Sequence, residues 1–118
     1  MLAEMAKHNT DYAIMEVSSH ALDQDRIGKV NFHSVIFTNL SQDHLDYHKN
    51  IQDYFVAKTK LFKGAPAASF AVINIDDEYG RKIKEIAASG KIVTYGLIQD
   101  CQFRAEKIKF DIEHTQFS

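Results

Sequence analysis

A lysine, a strand-end glutamate, a histidine pair and an acidic turn are the residues of this chain whose types and spacing could do chemistry. Lys58 falls in a helical stripe in which Ile51, Tyr54, Phe55, Leu61 and Phe62 share one face, and position 58 lies on the same inward side. Periodicity alone favours the ordinary reading, a stem that packs while the ammonium reaches water. The sharper reading is a functional amine. Partial burial lowers a lysine pKa, and a neutral amine can add carbon dioxide to become a carbamate, a carboxylate-like group able to bind Mg²⁺.

Glu16 sits near the end of the apolar run YAIMEV, where burying a lone carboxylate costs on the order of several kcal/mol. It needs a partner: solvent, a structural arginine, or a ligand in the crevice beyond the strand ends of an open parallel sheet. The polar stretch NLSQDHLDYH, residues 39–48, offers carboxylates and two imidazoles, His44 and His48, that could share a helical face and bind a hard cation. Histidine pairs are more often structural. Asp76, Asp77 and Glu78 read first as an acidic helix start favoured by the macrodipole. Asn74 before them could offer an amide to a nucleotide base, on a weak signal.

The elements that must position these groups alternate. Residues 1–9 read as the end of a helix and 12–17 as a strand, so the chain is expected to begin mid-domain. Ser18 or Ser19 is expected to cap a short helix through 22–27, with Gly28 as its stop. A strand at 33–38, a helix at about 50–62, a strand at 70–75, a helix at about 77–89 and a strand at 92–95 follow. This order predicts an α/β unit with a mainly parallel sheet flanked by helices. The tail, 101–112 and 116–118, alternates apolar and polar residues and predicts a short antiparallel ribbon.

The bulk numbers narrow the function classes. With 118 residues and 45% hydrophobic content, one domain with one core is the simplest parse, and no repeat or low-complexity tract divides it. Lys and Arg total 14 against 16 Asp and Glu, so no nucleic-acid or anionic-membrane partner is implied. Cys101 is the only cysteine, which excludes an internal disulfide and suits a reducing compartment. With neither a signal-like segment nor an apolar run of spanning length, a cytoplasmic chain is expected.

Read together, MEVSSHALDQDRIG, FTNLSQDHLDYHKNIQDYFVAKTKLF and FAVINIDDEYG resemble the Mur ligase family, and within it the UDP-N-acetylmuramyl-tripeptide synthetase branch. The resemblance spans roughly residues 10–96 with order and spacing kept. It implies that residues 1–118 are a piece of the central ATP-binding domain. The activity it implies is ATP-dependent: the D-glutamate carboxylate of UDP-MurNAc-L-Ala-D-Glu becomes an acyl phosphate, and the amine of meso-diaminopimelate or lysine attacks it. Carried over by motif, Glu16 and His44 would hold Mg²⁺, and Lys58 would be the carbamylated lysine positioning a second Mg²⁺. Ser18, Gln24 and Arg26 would contact the UDP-MurNAc-dipeptide, and Asn74 would lie near the adenine. A monomer is expected. Gln42 stands where relatives often carry arginine.

The phosphate-cradling G-x-x-G-K-[ST] loop is absent from these residues, so this chain by itself is expected not to turn over. Two other readings are a non-catalytic nucleotide- or metal-binding module and another Mur-like ligase, such as a cyanophycin synthetase. The absent loop, if encoded immediately upstream, would favour the ligase over the module.

Overall fold

The computed structural model describes residues 2–28, 30–40, 50–63, 70–88, 90–98, 100–111 and 114–118. The elements in order are α1 (Leu2–Lys7), α2 (Ser19–Asp23), β1 (Ser34–Phe37), α3 (Ile51–Lys63), β2 (Phe70–Asn74), α4 (Glu78–Ile86), β3 (Lys91–Gly96), β4 (Phe103–Arg104), β5 (Lys109–Phe110) and β6 (Thr115–Gln116). β1, β2, β3 and β4 form a parallel sheet in that spatial order. β5 and β6 make a separate antiparallel pair.

Alternation along the strands decides which face is covered. Val35 and Phe37 of β1 stand in register with Ala71 and Ile73 of β2, and all four are buried, whereas Ile36 between them is 61% exposed. α3 and α4, the crossovers from β1 to β2 and from β2 to β3, pack over the buried face. Phe62 of α3 meets Phe37 edge-on at 6.2 Å between ring centroids, and Phe55 meets Tyr79 of α4 at 5.1 Å. Ile83 of α4 completes this core. Strands that advance in one direction through right-handed crossovers put both helices on the same side.

Gly80 is required by how closely α4 approaches β2. A Cβ there would lie 1.8 Å from the Asn74 carbonyl oxygen, so no side chain fits without moving the helix. Asp77 caps this helix, accepting from the N–H groups of Tyr79 (2.8 Å) and Gly80 (3.2 Å), and it also accepts from Leu40 N–H at 3.2 Å, beyond the end of β1. The acidic helix start expected at 76–78 is therefore present, with Asp77 as its cap.

Several boundaries differ from expectation. Residues 12–17 are not a strand: none of them joins a ladder, and Tyr12 and Ile14 are 88% and 99% exposed. A strand exists only through its neighbours, and among the described residues this run has none. The α4 helix stops at Ile86 and not near 89, because Ala88 N–H leaves to donate to Phe62 O at the end of α3 (3.2 Å). The tail divides: 103–104 joins the main sheet as a parallel strand, and only 109–110 and 115–116 form the expected ribbon. No helix among the described residues is long and apolar enough to cross a membrane.

Candidate functional site

α3 presents Lys58 toward the end of the first apolar run. Its Nζ donates to the Val17 carbonyl at 3.2 Å and lies 5.9 Å from the Tyr54 ring centroid. Burial holds the Lys58 amine below the ordinary lysine range, and the nearby Glu16 carboxylate offsets part of that shift by favouring the charged form. Residues 42 positions apart in the chain are thus brought into one electrostatic neighbourhood. The inward position read from periodicity is borne out, since Lys58 is half-buried between buried Ala57 and Thr59. Glu16 itself is exposed and lies outside any strand, so of the partners open to it the solvent is met.

The next residues are arranged by caps. Ser18, not Ser19, is the N-cap of α2, with extended backbone and a hydroxyl that accepts from Ala21 N–H at 3.2 Å. Ser19 is buried, and its hydroxyl has no hydrogen-bond partner among the described residues.

The helix ends after Asp23 and does not run on toward Gly28. Arg26 N–H donates to Ala21 O (2.8 Å) and Asp25 N–H to Leu22 O (3.4 Å), while Asp25 takes a left-handed φ of 52°. That pair of bonds is the Schellman closure. Gln24 and Arg26 flank the left-handed residue, so the closure sets the direction in which both side chains leave the backbone. Lys60 of α3 pairs with Asp23 at 2.9 Å, a second tie between α3 and this segment.

Asn74 belongs to a different place. At the end of β2 its Nδ2 donates to Thr38 O (2.8 Å) and its Oδ1 accepts from Asp76 N–H (3.0 Å), which holds the amide across the ends of β1 and β2. Asn74 also borders a cleft of about 530 Å³ with Asp76, Tyr95, Leu97, Phe103 and Phe117. Tyr95 has its hydroxyl pKa pushed up by burial and, secondarily, by the Asp76 charge. Phe103 and Phe117 come from the tail, whose part in a site no motif had signalled.

His44 and Gln42 lie outside the described residues. Among the described residues no group of three His, Cys, Asp or Glu side chains converges as a metal site. Glu16, Lys58, Ser18, Gln24 and Arg26 therefore gather around the 16–26 segment and α3, while Asn74 serves the cleft at the strand ends.

Comparison with known proteins gives the family of the chain. The chain is 44% identical over 117 residues to the UDP-N-acetylmuramoyl-L-alanyl-D-glutamate--2,6-diaminopimelate ligase of Clostridium botulinum, covering 99% of this chain and 23% of that protein. It is 47% identical over 95 residues to the ligase of the same name from Aquifex aeolicus, covering 80% of this chain and 19% of that one. A solved structure of a ligase of this name superposes with a TM-score of 0.88 at 31% identity, over 98% of this chain and 24% of that one. The chain thus spans about a quarter of the length of these relatives. The Mur ligase middle domain matches residues 1–118 throughout, and the chain belongs to the Mur ligase family.

Proposed function

We propose that this chain is part of the central domain of an ATP-dependent ligase that joins a diamino acid, meso-diaminopimelate or lysine, to UDP-MurNAc-L-Ala-D-Glu for peptidoglycan synthesis in the cytoplasm. The observation that carries the reading is the approach of the Lys58 amine to the Val17 carbonyl beside Glu16, in a chain whose named relatives are 2,6-diaminopimelate ligases.

The donor chemistry present fits a hard divalent cation. Glu16 supplies an exposed carboxylate, and a carbamate on Lys58 would supply a second anionic oxygen pair where an amine now stands. Glu16, His44 and carbamylated Lys58 would hold Mg²⁺, which when bound neutralises phosphate charge during transfer to the substrate carboxylate. Lys58 is suited to the modification because burial favours its neutral form, which adds carbon dioxide and releases a proton. The Val17 carbonyl fixes where that nitrogen sits.

Ser18, Gln24 and Arg26 bind and orient the anionic UDP-sugar peptide, with Arg26 contributing a charge-assisted contact. Asn74 faces the adenine with the hydrogen-bonding capacity its two internal contacts leave over, and the apolar walls of the cleft exclude water from the base.

Lys58→Ala in the full-length ligase tests the reading. Ligation should be abolished, and bicarbonate-rich buffer with a short-chain carboxylic acid should restore part of it. Undiminished ligation by Lys58→Ala would refute the assignment.

A further inference from the structure

β4 lies parallel to β3, with Tyr95 opposite Phe103 and Gly96 opposite Arg104, yet only residues 97–102 connect the two strands. Parallel neighbours ordinarily need a crossover of about a dozen residues. So short a return must be held by something other than a helix, and the contacts at its two ends show what holds it.

At the far end, Gln102 and Thr94 are doubly tied. Gln102 N–H donates to the Thr94 carbonyl and hydroxyl oxygens at 3.1 and 3.0 Å, and Thr94 N–H donates to Gln102 Oε1 at 3.2 Å. At the near end the tie comes from outside the strand pair. The Asp76 carboxylate accepts from Leu97 N–H at 2.7 Å and from Ile98 N–H at 3.2 Å. Asp76 is itself held by two further bonds. Its N–H donates to Asn74 Oδ1 (3.0 Å) and its carbonyl accepts from Arg81 Nη1 (3.1 Å), a nitrogen that also donates to the neighbouring Ile75 carbonyl at 2.7 Å. Gly96 lets the carboxylate in, since a Cβ there would lie 2.6 Å from Asp76 Oδ1.

We propose that Asp76 is a positioning residue for nucleotide binding: its carboxylate pins the Leu97–Ile98 backbone in the sharp return that walls the cleft beside Asn74. The inference rests on the reading of that cleft as the site of the base. Asp76 borders the cleft with both carboxylate oxygens already engaged by backbone N–H groups. Its role is to hold Leu97 against the base, through the lone pairs already engaged by the Leu97 and Ile98 N–H groups.

Asp76→Asn keeps the shape and leaves one acceptor where two were used. In the full-length ligase it should raise the KM for ATP about five- to tenfold, as loss of a hydrogen bond implies, and leave the KM for the muramyl dipeptide substrate where it was. Gly96→Ala attacks the same contact from the other side and should give the same selective rise. In the unmodified ligase, hydrogen exchange at the Leu97 and Ile98 amides should slow when ATP is added and not when the muramyl substrate is added. An unmoved KM for ATP in a folded Asp76→Asn variant would overturn the proposal. So would an equal rise in both KM values, which marks a merely structural role, or exchange at Leu97 and Ile98 indifferent to ATP. Asn74→Ala separates the two levels. If it raises the KM for ATP while Asp76→Asn does not, the positioning role alone fails; if it too leaves the KM unmoved, the cleft is not the base site and both fall.

Discussion

The segment 16–26 and the turn 74–77 both carry candidate site residues, but they are held in opposite ways. Asn74, Asp76 and Asp77 stand at the mouth of a paired sheet, each side chain bonded to backbone on a neighbouring strand or loop. Glu16 to Arg26 lie outside the sheet, held by α2, the lysine contacts from α3 and a helix closure. In the first region position is a by-product of folding. In the second the burial of Leu22 and Ser19 holds α2 while the exposed candidate side chains add little to stability, so substitution of such side chains should read out as unfolding in one place and as altered affinity in the other.

The largest effect expected is in the anchored region. Gly80→Ala drives a methyl group into the Asn74 carbonyl and should cost about 3 kcal/mol or more, seen by urea denaturation followed by circular dichroism. A near-unchanged midpoint would show that α4 can slide and that the sheet end is looser than its contacts imply.

Arg26→Ala should leave stability almost untouched and raise the KM for the muramyl substrate about tenfold or more in the full-length ligase, because it removes a charge-assisted contact to an anion. A rise confined to ATP would reverse the roles given to the two regions. Lys60→Ala sharpens the contrast. Its pair with Asp23 is about half exposed on both sides, so the loss in stability should stay under about 1 kcal/mol by denaturation.

The smallest effect is a titration. Tyr95 should ionise above the usual tyrosine range in an absorbance titration, and Asp76→Asn should bring it back only part of the way, since burial is the larger cause. The folded pKa lies above the unfolded one, so this group's contribution to stability is complete below the unfolded value and is lost as pH rises through the folded value. A Tyr95 titrating like an exposed tyrosine would mean that its hydroxyl is open to water.

Legibility followed the same division. The parallel core was readable because HSVIFT and FAVINI are short β-rich apolar runs and the helix between them carries an apolar stripe at helical spacing, both local patterns. Lys58 was readable for the same reason, as a charge on an apolar stripe. The run 12–17 was misread as a strand because its apolar residues satisfy a pattern whose meaning depends on a neighbour, which no local window contains. The end of α2 was misread because Asp25 took the left-handed position that Gly28 was expected to fill. The Asp76 clamp rests on bonds to residues more than twenty positions away, and the short return to β4 breaks the rule from which an antiparallel tail was expected.

The left-handed Asp25 has a consequence for how this surface can change over time. An exposed position is ordinarily free to drift among polar residues, but here the backbone admits chiefly glycine, asparagine and aspartate, and a β-branched side chain is excluded by its own crowding. Site 25 therefore has a small alphabet although its side chain is exposed. A library randomised at this codon and selected for ligation should return those three residues far more often than valine, isoleucine or threonine.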